Sequence, residues 1–212
     1  MIFALLPVKA PQNAKQRLAN LLPAPDREAL ARAMFEEVLG VLCAVRGLHR
    51  IMVATSDDAT ARHARRSGAL VFHEQEQLGH SASATTAARQ AMALGAQTVL
   101  LLPIDVPLLT PAEIESLLAA ARPGVIIVPS FDGAGTNALV LTPPDAIESC
   151  FGPGSFEHHL RRARARGHAV EVMRPPGLVL DIDTPEDITE LLTRAPESRV
   201  AKLLRSLCQS LS

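Results

Sequence analysis

Short apolar runs alternate with longer amphipathic stretches along most of the chain. Runs rich in Val, Ile and Leu predict buried strands, and apolar residues three and four positions apart predict helices. The predicted strands are Ile2–Pro7, Arg50–Thr55, Leu70–His73, Thr98–Pro103 and Val125–Pro129. The predicted helices between them are Asp26–Leu48, Ala59–Ser67, Ser83–Leu94 and Pro111–Ala121. This order predicts right-handed crossovers and a mostly parallel α/β sheet with helices on both faces.

The pattern changes in the later part of the chain. Asn137–Leu141 and Val170–Met173 are predicted strands, and Ser155–Arg166 between them is a predicted helix. These elements suggest antiparallel additions to the sheet rather than a second domain. We therefore predict one domain over residues 1–192, followed by a helical tail over residues 193–212.

The predicted tail carries an apolar stripe at helical spacing. Packing of this stripe against the body of the protein is one interpretation, and a homodimer contact is the other. The residues of the stripe are Val200, Leu203, Leu204, Leu207 and Leu211.

Several helix starts have recognisable capping residues. Thr110 and Thr184 are each followed by Pro and then by an acidic residue at the third helical position, the pattern of a capping box. Asp57 is predicted to cap the helix that follows it. The pair His158 and His159 lies among arginines with no carboxylate pattern that would complete a metal site, so we predict that both are surface residues.

Composition narrows the class of protein. Hydrophobic residues make up 48% of the 212 residues and charged residues 20%, which excludes a disordered chain. A formal net charge of −1 and an aromatic content of 3% argue against a nucleic-acid partner. No apolar run approaches the ~20 residues that a membrane span needs. Three scattered cysteines argue against a disulfide scaffold or a Cys-based zinc site and favour a reducing compartment, so we expect a cytoplasmic protein.

Three cations follow the first predicted strand. Ligands of parallel α/β sheets bind outside the carboxyl ends of the strands, so Lys9, Lys15 and Arg17 could converge on a polyphosphate as charged donors. The alternative is that all three are solvated surface cations. The loop contains no Gly-x-x-x-x-Gly-Lys and is therefore not a Walker loop.

Carboxylates follow two other apolar segments. Asp105 lies between two prolines after the fourth predicted strand, where burial without a partner would be costly. Asp181 and Asp183 end a segment beginning at Gly177 that we predict to be a strand, in which alternate side chains share a face. Together the three could form a magnesium site. Loop capping by Asp105, and helix capping by Asp183 beside Thr184, are the alternatives.

Three Gly-containing turns offer backbone N–H groups to an anion. Gly133 and Gly135 precede Thr136, which could add its hydroxyl, and Gly152 precedes Ser155 at a predicted helix N-terminus. The segment Gln77–Ser83, which contains Gly79, His80 and Ser81, could cradle a base or ribose. Each of these segments could instead be an ordinary turn, with His80 exposed in a loop.

Taken in order, these motifs resemble those of the 2-phospho-L-lactate guanylyltransferase family, the nucleotidyltransferases called CofC or FbiD of coenzyme F-420 biosynthesis. The resemblance extends from Leu5 to about Leu192. The combination of Gly-Thr-Asn-Ala-Leu with Phe-Gly-Pro-Gly-Ser-Phe is specific to this family, whereas Pro-x-Asp-x-Pro-Leu is shared with other nucleotidyltransferases. The remaining motifs are Leu-x-Pro-Val-Lys, Ala-Lys-x-Arg-Leu and Asp-x-Asp-Thr-Pro-Glu-Asp.

The resemblance implies a Rossmann-like fold of the nucleotide-diphospho-sugar transferase type, with a mixed sheet. It also implies transfer of GMP from GTP to the phosphate of 2-phospho-L-lactate, phosphoenolpyruvate or 3-phospho-D-glycerate, with release of pyrophosphate. By motif position, Mg²⁺ would be bound by Asp105, Asp181 and Asp183. The acceptor would be bound by Thr136, Gly152 and Ser155. The nucleotide would be bound by Pro7, Lys9, Lys15, Arg17, Gly79, His80 and Ser81, with Lys9 and Asp105 as catalytic residues.

The chain departs from the family pattern at two places. The family usually has Gly-Leu-Asn where this chain has Gly79-His80-Ser81, which affects the expected guanine contacts and acceptor choice. Residues after Thr193 are also expected to fall outside the pattern. A molybdopterin-type guanylyl- or cytidylyltransferase is an alternative, although its Gly-rich first loop is missing. A catalytically inactive nucleotide-binding regulator is another, although all three aspartates are present.

Overall fold

The computed structural model describes residues 1–74 and 79–209, apart from the side chains of Asn13, His80 and Gln209. Gln77 and Leu78 of the predicted nucleotide segment, and Leu211 of the predicted apolar stripe, therefore lie outside the described residues. The strands are β1 (Ile2–Pro7), β2 (Arg50–Thr55), β3 (Leu70–His73), β4 (Thr98–Leu101), β5 (Gly124–Pro129), β6 (Thr136–Thr142) and β7 (Val170–Val172). The helices are α1 (Ala24–Ala44), α2 (Asp58–Arg66), α3 (His80–Ala93), α4 (Pro111–Ala120), α5 (Ser155–Ala165), α6 (Pro176–Val179), α7 (Pro185–Arg194) and α8 (Arg199–Gln209).

The strands form one sheet in the order β3-β2-β1-β4-β6-β5-β7. Only β6 is antiparallel to its neighbours among the described strands, so the predicted mixed, mostly parallel sheet is confirmed. The prediction that β7 is an antiparallel addition is wrong, since β7 pairs parallel to β5. The reason is that residues 143–154 return the chain to the edge where β6 begins, and there Phe156 N donates to Ala134 O.

Helices cover both faces of the sheet, as predicted. Alternate residues of β1 enter two separate cores, because successive side chains of a strand point to opposite faces. Ala4 and Leu6 pack with residues of α1 and α4, whereas Phe3 and Leu5 pack with residues of α3 and α5. The edge strand β3 is less covered than predicted for a buried strand, with Leu70 37% exposed.

The C-terminal helix packs against the body of the protein. Val200 and Leu204 of α8 are buried in a third cluster with Leu30 and Met34 of α1 and Leu191 of α7. The apolar stripe of the tail therefore has the intramolecular contact that was one of its two interpretations. The domain boundary at residue 192 stays a prediction. Across the described helices, none has the length and apolar character needed to span a bilayer.

The capping predictions are confirmed. Thr110 and Thr184 each accept a hydrogen bond from the backbone N–H of the third helical residue, and the side chain of that residue bonds back. Asp57 Oδ2 accepts from both the N–H and the hydroxyl of Thr60 at the start of α2. Helix α3 begins at His80 rather than at Ser83, so His80 and Ser81 lie in its first turn.

The predicted strand from Gly177 to Asp183 is wrong. Residues Pro176–Val179 form the short helix α6, and Leu180 begins an extended segment outside the sheet. Proline at the first position favours a helical turn and supplies no N–H to a strand ladder. Gly177 also lies so close to Leu108 O and Glu113 that a Cβ would clash, and its N–H donates to Glu113 Oε1 at 2.7 Å.

Candidate active site

The carboxyl edge of the sheet at β1 and β4 brings the predicted site residues together. β1 has β2 on one side and β4 on the other, so the direction of the crossovers reverses there, which is the position at which open α/β sheets bind ligands. Lys9 and Lys15 follow β1, and Asp105 follows β4. Because β6 runs antiparallel to β4, its first residue, Thr136, lies at the same edge.

The ammonium group of Lys15 lies between two carboxylates at this edge. Its Nζ is 2.9 Å from Asp105 Oδ2 and 2.8 Å from Asp183 Oδ1, and the Lys15 side chain is only 5% exposed. Among the described non-glycine residues, Lys15 alone has a left-handed φ, at 52°. Such a conformation is uncommon and typical of functional positions. The interpretation of Lys15 as a solvated surface cation is therefore wrong.

The other two cations of the loop contact solvent. Lys9 is exposed after the buried Pro7 that ends β1. The Arg17 side chain is 66% exposed, with Nη1 3.9 Å from Asp183 Oδ2. Lys9 and Arg17 both help to lower the pKa of Asp183, so the three predicted cations act on one carboxylate.

The carboxylates differ in proton affinity. Burial by itself raises the pKa of Asp183, but the charge and hydrogen bond of Lys15 outweigh burial and keep that pKa below its ordinary value. Burial, followed by the charge of Asp105, raises the pKa of Asp181 to about 6. Burial lowers the pKa of Lys15, but Asp105 and Asp183 outweigh this effect and raise it. We call Lys15, Asp105, Asp181 and Asp183 the charged side of the site.

The backbone joins the two carboxylate segments. Ile182 N donates to Asp105 O at 2.9 Å, and the Ile182 side chain is fully buried between two aspartates that remain partly exposed. The alternative that Asp183 caps α7 is wrong, because Thr184 is the capping residue and the Asp183 carboxylate bonds to Lys15. Asp105 likewise directs its carboxylate to a cation.

Asn137 is a site residue that the sequence analysis did not identify. Its Nδ2 lies 3.0 Å from Asp181 Oδ1 and 3.0 Å from each of the carbonyl oxygens of Leu178 and Val179. The register of β5 and β6 shifts at Pro129, which leaves Asn137 as an extra residue, and such bulges redirect side chains. The Gly-rich turn before Asn137 signals irregular backbone, but no local pattern predicts its partner 44 residues away.

Thr136, the residue before Asn137, bonds to helix α5 instead. Thr136 Oγ1 is 2.9 Å from His159 Nδ1, and Cys150 N donates to His159 Nε2 at 2.9 Å. The prediction that His159 is a surface residue is wrong, since it is fully buried, whereas His158 is exposed as predicted. His159 lies one turn after the buried Ser155, on the same face of α5, and this spacing is the signal that could have identified it.

The turn that begins at Gly152 leads into α5 as predicted. Gly154 is the N-cap residue in the left-handed conformation, with φ 71°, and Ser155 N donates to Gly152 O. The Ser155 hydroxyl is buried and has no hydrogen-bond partner within the described part of the chain. We call Thr136, Cys150, Ser155 and His159 the neutral side of the site.

The predicted nucleotide loop borders this turn. Gly79 is the N-cap residue of α3 with φ 88°, and Ser81 Oγ donates to Phe151 O at 3.4 Å. Ser149 Oγ in turn donates to Ser81 O at 3.3 Å. These bonds hold the start of α3 beside the turn before α5, so the predicted nucleotide and acceptor segments are neighbours.

The arrangement suits chemistry on phosphates. Cations and carboxylates on the charged side can neutralise anionic groups, and the helix start on the neutral side can orient an anion through N–H and hydroxyl groups. Within residues 1–74 and 79–209, no three His, Cys, Asp or Glu side chains form a group that could hold a metal ion as they stand. Lys15 Nζ occupies the space between Asp105 and Asp183.

The chain is similar in sequence to a known protein family and to named members of it. The family model "Guanylyl transferase CofC like" matches residues 2–212, so the expectation that residues after Thr193 fall outside the family pattern is wrong. A phosphoenolpyruvate guanylyltransferase of Conexibacter woesei is 39% identical over 192 residues, which cover 89% of this chain and 86% of that protein. A 3-phospho-D-glycerate guanylyltransferase of Colwellia psychrerythraea is 38% identical over 208 residues, which cover 97% of both chains.

A solved structure shares the fold at low sequence identity. The structure is that of a candidate nucleotide-diphospho-sugar transferase of Desulfovibrio desulfuricans G20, which matches with a TM-score of 0.78 and 18% identity. The match covers 99% of this chain and 97% of that one. The predicted Rossmann-like nucleotidyltransferase fold is confirmed.

Proposed function

This chain belongs to the CofC-like guanylyl transferase family, and we propose that it transfers GMP from GTP to the phosphate of a three-carbon phospho-acid in coenzyme F-420 biosynthesis. The observation that supports this function best is the ammonium of Lys15 between Asp105 and Asp183, at the sheet edge where Thr136 begins β6. Such a group of charges beside a helix N-terminus fits a reaction in which one phosphate attacks another.

The reaction needs positioning and charge neutralisation more than proton transfer. An oxygen of the acceptor phosphate forms a bond to the α-phosphorus of GTP, and the bond from that phosphorus to the bridging oxygen breaks, so pyrophosphate leaves with the electron pair. A phosphate monoester has a second pKa of about 6 and is largely ionised at neutral pH. No general base is therefore required, and catalysis depends on groups that offset negative charge and align the attack.

The charged side would hold the triphosphate. Lys15 and Arg17 would contact the phosphates of GTP, and Lys9 would stabilise the pyrophosphate as it leaves, because cationic donors strengthen as charge develops. The first turn of α3 would contact the nucleoside, next to the acceptor turn. The nucleotide site as a whole would comprise Pro7, Lys9, Lys15, Arg17, Gly79, His80 and Ser81.

The neutral side would hold the acceptor. Thr136, Gly152 and Ser155 would face the phosphate or carboxylate of the acid, with N–H groups of the α5 N-terminus as donors. The buried Ser155 hydroxyl without a partner among the described residues supports this role, because a ligand oxygen would satisfy it.

Mg²⁺ fits the donor chemistry of the charged side. Asp105, Asp181 and Asp183 would hold the ion, since hard divalent cations prefer carboxylate oxygens. The ammonium of Lys15 lies between two of these groups, which supports the assignment because the two carboxylates are close enough to share one cation. Bound Mg²⁺ would neutralise charge on the phosphates of GTP.

Pyrophosphate release tests the function directly. The protein is incubated with GTP and Mg²⁺ and, in parallel, with phosphoenolpyruvate, 3-phospho-D-glycerate or 2-phospho-L-lactate. We expect release that depends on at least one of the acids, with ATP and CTP as nucleotide controls. GTP binding without acid-dependent release would contradict the proposal and favour the inactive regulator or a molybdopterin-type transferase.

A further inference from the structure

His159 is enclosed by groups that determine where its proton resides. The ring is fully buried, lies edge-on to Phe151 with ring centroids 5.6 Å apart, and has a hydrogen-bond partner at each nitrogen. The partner of Nε2 is the backbone N–H of Cys150, and a backbone N–H is always a donor. Nε2 must therefore be unprotonated, which leaves the single proton of the neutral ring on Nδ1.

The surroundings also keep the ring neutral. Burial is the main cause that lowers the pKa of His159 to about 4, and the charges of Arg162 and His158 act in the same direction. A protonated ring would place a second donor, Nε2–H, against the N–H of Cys150. The neutral ring with its proton on Nδ1 is the form that satisfies both neighbours.

This tautomer determines what the Thr136 hydroxyl can do. Nδ1–H donates to Thr136 Oγ1, so the hydroxyl is used as an acceptor on that side. Its own hydrogen remains available for another group. The opposite tautomer would take that hydrogen, and Thr136 could then offer only lone pairs to a ligand.

We propose that His159 is a positioning residue that makes the Thr136 hydroxyl a hydrogen-bond donor to the anionic acceptor. This inference rests on the proposed function, in which the acceptor carries a phosphate and a carboxylate. Both groups are ionised and present only hydrogen-bond acceptors. A donor is therefore required from the protein, and a lone pair at the same place would repel the ligand.

Two substitutions separate this role from simple support of the fold. His159→Asn offers an amide N–H near the position of Nδ1 and retains a donor for Thr136. His159→Gln offers an amide oxygen near the position of Nε2 and retains an acceptor for Cys150 N. His158→Gln, at the exposed neighbouring position, is the matched control.

The kinetic experiment varies acceptor and GTP separately in the pyrophosphate-release assay. For His159→Gln we expect the acceptor KM to rise about 10- to 100-fold, the loss of one hydrogen bond to a charged group, with the KM of GTP unchanged. For His159→Asn we expect an acceptor KM within a few-fold of the wild type together with a lower Tm. Equal acceptor KM values for both variants, or a change confined to GTP, would overturn the inference.

NMR of protein labelled with ¹⁵N-histidine gives a readout independent of turnover. The chain has 7 histidines, and the signal missing from His159→Gln identifies residue 159. We expect a protonated Nδ1 and an unprotonated Nε2 at pH 7; the reverse tautomer or an imidazolium would refute the mechanism. Wild-type turnover with no change of acceptor KM in His159→Gln contradicts the inference alone. Absence of acid-dependent turnover in the wild type contradicts the proposed function, and the donor role then fails with it.

Discussion

The charged side and the neutral side of the site lie next to each other but are stabilised by different means. On the charged side, carboxylates from distant segments surround one ammonium and remain partly open to water, with Asp183 40% exposed. On the neutral side, Thr136, Ser155 and His159 are buried and interact through uncharged groups. Buried charges need partners or solvent, whereas neutral donors can be enclosed and keep a fixed direction.

In the proposed reaction the two sides would have different tasks. Charges that water can still reach can exchange partners as substrates come and go. Enclosed neutral groups keep their orientation and can discriminate the shape and charge of a small acid. Asn137 connects the two, because it follows Thr136 in β6 and bonds to Asp181.

The largest effect is expected from Asp105→Asn on the charged side. Asn retains the shape of the side chain and can still accept from Lys15 Nζ, but it removes one negative charge from the proposed metal site. We expect turnover to fall about 10²- to 10³-fold, the usual result of removing one preorganised electrostatic contact, with Tm nearly unchanged. The exposed Asp58→Asn is the control. Unchanged turnover in Asp105→Asn would remove this residue from the reaction centre.

The pH dependence of the unfolding free energy should show whether His159, on the neutral side, is held as a neutral ring. A histidine whose pKa is lower in the folded chain than in the unfolded chain favours folding when neutral, so its contribution is complete above about pH 6.5 and is lost as the pH falls toward 4. Relative to His159→Gln, which does not titrate, the wild type should lose about 3 kcal/mol of unfolding free energy over this interval. Urea unfolding at several pH values measures the difference.

The exposed neighbour is the control for this measurement. In His158→Gln the pKa of His159 should stay low, because burial is its main cause, so most of the loss of unfolding free energy between pH 6.5 and pH 4 should remain. If the stability difference between the wild type and His159→Gln is constant from pH 7 to pH 4, the ring is not held neutral in the folded protein.

Lys15→Met tests the ion pairs of the charged side. The substitution leaves Asp105 and Asp183 without their common cation, and we expect a loss of about 2 kcal/mol, less than for a fully enclosed pair because the carboxylates are partly exposed. Mg²⁺ should raise the Tm of Lys15→Met more than that of the wild type, since a divalent cation can replace the missing charge. Lys202→Met, in an exposed pair with Glu197, is the control. An equal Mg²⁺ effect on all three proteins would contradict metal binding at Asp105 and Asp183.

Local signals explain which parts of this fold could be predicted from the sequence. The capping boxes at Thr110 and Thr184 and the apolar strands depend on residues that are close in sequence, so local patterns predict them. The segment after Gly177 has apolar residues at alternate positions, yet Pro176 and the close contact with Leu108 produce a helical turn. Its carboxylates still lie at the predicted edge because Ile182 N bonds to Asp105 O.

The sequence does not predict the roles of His159 and Asn137, because their hydrogen-bond partners are distant in sequence. His159 lies in a helix with several arginines, on the same face as Ser155, but its hydrogen-bond partners are Thr136, 23 residues earlier, and the backbone N–H of Cys150. The role of Asn137 depends on a bulge and on Asp181. Neither partner is indicated by periodicity or composition. The order of motifs, rather than any single pattern, is what identified the family.

The smallest effect is expected from Ser155→Ala on the neutral side. This substitution should weaken binding of the acceptor without lowering the stability of the protein. The Ser155 hydroxyl is buried without a partner in the described residues, a condition that costs about 1–3 kcal/mol, so its removal should leave Tm unchanged or raise it. The same change should raise the acceptor KM several-fold and leave the KM of GTP unaltered, because only a bound anion would use the hydroxyl. Ser149→Ala is the matched control, since Ser149 is buried but bonds to Thr85 and to Ser81 O, and its loss should lower Tm. If Tm falls as much for Ser155→Ala as for Ser149→Ala, the Ser155 hydroxyl has a hydrogen-bond partner within the protein. If only the KM of GTP changes, the Ser155 hydroxyl contacts the nucleotide rather than the acceptor.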